Sequence, residues 1–254
     1  SGGTNVVDWT TTTTDTFVTK AGLTLTSGTA YYISVKATDN AENESTTITS
    51  DGVIVDTDGP ISGTVLDGTS ADIDWTNSTS SLTATWSGFS DTLSGIQKYE
   101  YAIGTSSGDT DVVDWTNNTT DTSVTKTGLT LTNGTTYYLN IRAADNVGNV
   151  STIVTSDGIT IDTDVPTISS VIEGSTTADI DYQNSDTTLI IAWIGIDTAS
   201  GIAQYEYALG TAAAASNTVA WTNAGMATAD TLTGLSLIED STYYLSARAT
   251  DVAG

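Results

Sequence analysis

At 254 residues the chain has room for two to three small domains. Only 6 Lys and Arg stand against 31 Asp and Glu, a net charge of −25 that excludes nucleic acid and anionic membrane surfaces as partners and suits a cation-rich medium. Cys and His are both absent, which rules out disulfides, thiol catalysis, Cys-based zinc sites and an imidazole base.

Laid on itself, the chain repeats. Leu25 opens LTSGTAYYISVKA, Leu131 opens LTNGTTYYLNIRA and Leu237 opens LIEDSTYYLSARA, each 106 residues after the last. Asp8-Trp9-Thr10 matches Asp114-Trp115-Thr116, and Tyr99-Glu-Tyr-Ala-Ile-Gly104 matches Tyr205-Glu-Tyr-Ala-Leu-Gly210. Residues 1–56 are thus expected to be the back part of one repeat, 57–162 a whole repeat, and 163–254 a repeat lacking its last strand.

Within the whole repeat the elements follow in order. Ile61–Val65 is expected as a first strand, started by Pro60, and Asp67-Gly68 as a turn. Ala71–Trp75 reads as a short strand. Leu82, Ala84 and Trp86 alternate inward, Asp91–Gly95 is a loop, and Ile96, Tyr99, Tyr101 and Ile103 form the next strand. Val112–Trp115 runs back and Val124–Leu129 follows. After the Asn133-Gly134 turn, Tyr137, Leu139, Ile141 and Ala143 share one face. Asp145–Gly148 is a hairpin turn, and Ile153–Ile161 closes the repeat with a bulge at Asp157-Gly158. About seven strands with regularly spaced turns and no helical period predict an all-β chain of β-sandwiches.

The alternation at Leu131, Tyr137, Leu139, Ile141 and Ala143, repeated at Leu25, Tyr31, Ile33, Val35 and Ala37 and at Leu237, Tyr243, Leu245, Ala247 and Ala249, resembles the fibronectin type III pattern. Trp86 and Trp193 match the Trp that closes that family's second strand. The phrases S-G-I-x-x-Y-E-Y-A-I-G-T and A-x-D-N-x-G-N are similar to tandem arrays in secreted microbial surface proteins. The resemblance implies a fold of tandem Ig-like, fibronectin type III-like sandwiches and a core role for both Trp residues. It also implies that each first Tyr of the Tyr pairs bonds backbone near the preceding turn, as in a tyrosine corner. Tyr32, Tyr138 and Tyr244 point the other way, either covering the sheet or lining a carbohydrate strip. Trp9, Trp115 and Trp221 suit a core edge or domain packing.

No pattern of catalytic residues emerges, so no enzymatic activity is expected. Asp72 and Asp74 share a short strand with no cleft implied, which reads as a solvated acidic edge and not a glycosidase pair. Six N-x-S/T sequons, at Asn43, Asn77, Asn117, Asn118, Asn133 and Asn149, fall in turns or strand ends where a glycan fits.

In a sandwich of this type the entry linker, the loop after the Trp strand and the last hairpin share one end. Asp56, Asp58, Asp91 and Asp145 with Asn146 are therefore expected to meet at one domain junction, and Asp162, Asp164, Asp197 and Asp251 at the next. Such oxygen-rich sets suit structural calcium, while the other reading is that each Asp serves only its own turn. The expected role is a structural extracellular rod, stalk or filament at the cell surface or in the matrix. Its partners would be further repeats of the same polypeptide or other copies of the chain. The alternatives are an adhesin binding carbohydrate or protein, and linker repeats of a secreted polysaccharide-degrading enzyme. No apolar run approaches a membrane span, so no membrane insertion is expected within these residues.

Overall fold

The computed structural model describes residues 5–175 and 177–254, so the first four residues of the 1–56 segment and Thr176 lie outside the described residues. Among the described residues all regular structure is strand. The opening segment holds four short strands, β1 (Ala30–Tyr31), β2 (Ser34–Val35), β3 (Ile48–Thr49) and β4 (Val53–Ile54), paired antiparallel as β1 with β4 and β2 with β3.

The next repeat contains β5 (Thr64–Asp67), β6 (Trp75–Thr76), β7 (Ser81–Ser87), β8 (Ile96–Gly104), β9 (Val113–Asn117), β10 (Ser123–Thr127), β11 (Thr136–Asp145), β12 (Val154–Thr155) and β13 (Ile159–Ile161). One sheet runs β10-β7-β5 and the other β9-β8-β11-β13-β6, with β12 also on β11. Period-two alternation decides which side chains meet between the sheets. Leu82, Ala84 and Trp86 come from β7, Tyr99, Tyr101 and Ile103 from β8, and Tyr137, Leu139, Ile141 and Ala143 from β11; all are buried. Trp86 packs edge-on against Tyr99, with ring centroids 5.8 Å apart.

The last repeat carries β14 (Thr167–Glu173), β15 (Thr188–Ile196), β16 (Ile202–Gly210), β17 (Val219–Gly225), β18 (Ala229–Thr233) and β19 (Tyr244–Asp251). Its sheets run β14-β15-β18 and β17-β16-β19, the same order as before, and Trp193 is wholly buried between them. Gly104 and Gly210 end matching strands for one reason: a β-carbon there would run into the backbone of Asp109 or Ala215.

Local chemistry explains the backbone. Thr132 N donates to the Tyr137 hydroxyl at 3.0 Å, Thr26 N to Tyr31 at 2.9 Å and Ile238 N to Tyr243 at 3.0 Å, so the tyrosine corner is built in every repeat. Asn140 faces Thr155 whereas Tyr137 faces Ile159, so one extra residue sits on the closing strand within Ser156–Gly158, which is the expected bulge. There the Ser156 hydroxyl accepts the Leu139 amide at 3.0 Å, in place of a ladder carbonyl. Tyr137→Phe removes one hydrogen bond and leaves the Thr132 amide without it. The expected loss is about 1 kcal/mol, read from urea unfolding.

Two expectations are corrected. The first strand begins at Thr64 and not Ile61, which makes only an isolated bridge to Ser90. The reason is Gly63, which packs so closely on Ser87 and Phe89 that regular pairing stops there. Ala71–Asp74 is not a strand either. Ile73 N donates to Asp67 O at 3.0 Å and Asp67 N to Asp72 Oδ1 at 2.9 Å, folding the segment back, and only Trp75–Thr76 pairs, parallel to β13.

The opening segment differs in burial. Ile33 and Val35 are 64% and 62% exposed, whereas Leu139 and Ile141, their counterparts, are 0% exposed. The same sequence pattern forms the corner and the pairing in both places, but among the described residues the opening segment, unlike the two later repeats, has no second sheet set against that face.

Candidate metal centre

Three carboxylate groups stand at the start of each described sandwich. Asp56 comes from the linker, Asp91 from the loop after β7 and Asp145 from the β11 hairpin; one oxygen of each lies within 4.8 Å of the others. Asp162, Asp197 and Asp251 form the same arrangement one repeat later. Six of the eight expected ligand candidates are thus brought together. The other two are not: Asp58 accepts the Ser27 hydroxyl at 2.7 Å, and Asp164 accepts the Asn133 amide at 3.0 Å. Asn146 reaches the first cluster's loop through its amide nitrogen, which donates to Ser94 O at 2.7 Å.

The backbone fixes these carboxylates. Asp91 Oδ1 accepts the amides of Leu93, Ser94 and Gly95, the last at 2.6 Å, and Asp197 Oδ1 accepts Ala199 and Gly201. Asp145 Oδ1 gathers Val147, Gly148 and Asn149, and its Oδ2 accepts the Asn149 side chain at 2.8 Å. Linker and loop are then tied together, because Ser94 N donates to Asp56 Oδ2 at 3.1 Å and Ser200 N to Asp162 Oδ2 at 2.9 Å. Each Asp therefore serves its turn and still presents an oxygen to the shared space.

Hydrogen bonding sets the charge state. Ser200, whose amide donates to Asp162, and the Asp164 amide hold the Asp162 carboxyl below its ordinary range, against the effect of burial. Burial pushes Asp145 upward, but the Asn149 side chain and the hairpin amides outweigh it and leave that carboxyl lowered. Oxygen-only and clustered, both sets match what calcium takes. At the second junction Asn77 N also donates to Ala253 O at 3.2 Å, bringing the end of β6 against the Asp251 hairpin.

A third acidic group was read differently from the sequence. Asp67, expected in a simple turn, is wholly buried, and it meets Asp72 and Asp157 within 4.8 Å. Burial pushes its carboxyl up to about 6, opposed by the hydrogen bond from the Gly158 amide and reinforced by the Asp72 and Asp157 charges. Asp72 and Asp74 are both exposed, as a solvated pair would be, but they do not share a strand, and Asp72 also reaches the buried Asp67.

Trp115 lies under the Arg142 guanidinium, 4.1 Å from its centroid, Trp221 under Arg248 at 4.4 Å and Trp9 under Lys36 at 5.1 Å. Arg142 and Arg248 also pair with Glu100 at 2.8 Å and Glu206 at 2.7 Å. These Trp residues are thus covered by cations and do not form a core edge. Tyr138 lies over Gly158 and Tyr32 over Gly52, whose positive φ and missing β-carbon leave room for the rings. That contact favours sheet covering over a carbohydrate strip.

The sequons are largely engaged. Asn149 Nδ2 donates to Asp145 Oδ2, Asn118 Nδ2 to Asp121 O at 3.0 Å and Asn43 Nδ2 to Asp39 Oδ2 at 3.0 Å. Asn77 Nδ2 donates to Gly254 O, and Asn133 Nδ2 to Asp164 as above, while Asn117 Oδ1 accepts the Thr119 amide. An open groove lies beside Gly174, Ile180, Tyr182 and Ile190, with no carboxylate, Lys or Arg in its lining. No helix among the described residues is long and apolar enough to cross a membrane, which says nothing of a β-barrel.

No family model and no curated protein matches this chain. Several solved structures do. The FN1-FN3 domains of chicken CNTN1 align over 86% of this chain and 72% of theirs, at 15% identity and a TM-score of 0.42. Chitinase ChiA74 from Bacillus thuringiensis aligns over 78% of this chain but 28% of its own, at 18% identity and a TM-score of 0.32. The central fibronectin-III array of RIM-binding protein aligns over 75% and 62%, at 15% identity and a TM-score of 0.25. By its sheet order, buried Trp and repeated tyrosine corner, this chain folds as tandem β-sandwiches of the fibronectin type III kind.

Proposed function

We propose that this chain is a structural repeat protein of the cell exterior, part of a rod, stalk or filament whose successive sandwiches are held in line by calcium. The observation that supports this reading most is the recurrence of one acidic arrangement, linker, loop and hairpin, as Asp56, Asp91 and Asp145 and again as Asp162, Asp197 and Asp251. A binding loop has no reason to recur residue for residue, whereas a joint does. Clustered carboxylates repel one another without a cation and close around one when it is present. The large acid excess belongs with the same medium, outside the cell. Its partners in this reading are further repeats or other copies of the chain.

Calorimetric unfolding of the whole chain tests it. With free calcium at about 100 times Kd, each occupied joint adds about 2.7 kcal/mol, so the transitions rise with calcium and fall with EGTA. Asp91→Asn and Asp197→Asn keep the acceptor for the loop amides but weaken the ion's hold, and each removes part of that rise. Identical thermograms in calcium and EGTA would overturn the proposal.

A further inference from the structure

The cluster around Asp67 lies inside a sandwich, away from the linkers, and is not explained by the joints. Asp67 sits at the end of β5, in the first sheet, and Asp157 in the bulge before β13, in the second. Asp72 returns from the segment between them. Asp67 is 0% exposed, and its Oδ2 accepts Gly158 N at 3.1 Å. Its Oδ1 is buried with no hydrogen-bond partner among the described residues. An unpartnered carboxylate oxygen in a buried site is unfavourable unless something positive meets it. No Lys or Arg does so; the nearest charges, Asp72 and Asp157, are both negative.

The geometry points to a divalent cation site, of calcium chemistry, formed by Asp67, Asp72 and Asp157 across the seam between the two sheets. One oxygen from each residue lies within 4.8 Å of the others, a separation that two Ca–O bonds of about 2.3–2.6 Å span. The ion meets the orphaned Oδ1, offsets three like charges and joins the first strand to the last. Asp157 and Asp72 are exposed, so water completes the shell and the ion enters without opening the core. Parts of the set recur. Asp51-Gly52 repeats Asp157-Gly158, and Glu173 with Asp179 repeats Asp67 with Asp72, since Glu173 N donates to Asp179 Oδ1 at 3.1 Å. In that last repeat Glu173 Oε1 instead accepts Leu245 N at 3.2 Å. All three carboxylates therefore meet only in residues 57–162 among those described.

Isothermal titration of the whole chain with calcium chloride tests the site, with magnesium chloride as control. Asp72→Asn/Asp157→Asn changes only exposed residues, and the side-chain amide oxygen it places at position 72 still accepts the Asp67 amide, so far-UV circular dichroism stays unchanged. The expected result is the loss of one bound calcium equivalent in this variant. The joint variant Asp91→Asn/Asp197→Asn loses different equivalents and keeps this one, so failure of the joints and failure of this site are read separately. Equal stoichiometry in the wild type and Asp72→Asn/Asp157→Asn, or no calcium uptake by the wild type, would overturn the inference.

Discussion

Trp86→Ala is expected to destabilise the 57–162 sandwich by about 3–5 kcal/mol, the usual cost of emptying a core aromatic site. The ring is 4% exposed, lies between the two sheets and touches Tyr99, so no neighbour is free to fill the space. In a domain of this size that corresponds to a fall in Tm of more than about 10 °C. Trp115→Ala makes the contrast. Its ring lies on the sheet surface beneath Arg142, where the cation–π contact contributes about 0.5–1 kcal/mol. Thermal unfolding of both variants should separate them clearly. Equal small losses would mean that Trp86 is not sandwiched as described.

The second large effect comes from one pattern position in two settings. Leu139→Ala is expected to lose about 2–5 kcal/mol, because that side chain is wholly buried on β11. Ile33→Ala, at the matching place on the opening segment, should change stability by less than about 0.5 kcal/mol, because Ile33 is 64% exposed there. Urea unfolding of each variant measures the difference. Similar losses at both positions would show that the opening segment buries this face in solution.

Much of the fold is legible because local rules decide it. Alternation of apolar residues gives the faces of β7, β8 and β11, and an Asp-Gly pair within an apolar strand announces the bulge near Gly158. The tyrosine corner is readable because donor and acceptor stand only five residues apart. What escapes the sequence depends on distant partners. Asp67-Gly68 has the composition of a turn, yet Asp67 is buried because Gly158, on the far strand, donates to it. The start of the first strand depends on how closely Gly63 approaches Ser87 and Phe89. The cover over Trp115 had a signal that composition obscured. Among so few basic residues, Lys36, Arg142 and Arg248 recur at the repeat spacing, and each lies over its own repeat's Trp.

For the joints, the sequence placed carboxylates on the right three segments. It did not distinguish Asp56 from Asp58 or Asp162 from Asp164, which lie two residues apart in the same linker. Backbone direction decides that. Asp58 turns toward Ser27 and Asp164 toward Asn133, while Asp56 and Asp162 accept the Ser94 and Ser200 amides of the next sandwich's loop.

The central claim is that calcium at Asp56, Asp91 and Asp145 and at Asp162, Asp197 and Asp251 holds successive sandwiches in a fixed line. Small-angle X-ray scattering of the whole chain, in calcium and then in EGTA, tests it most directly. The account predicts a longer, narrower distance distribution in calcium, relaxing to a shorter mean length with EGTA, and no such change in Asp91→Asn/Asp197→Asn. Distributions that superimpose in calcium and EGTA for the wild-type chain would contradict it.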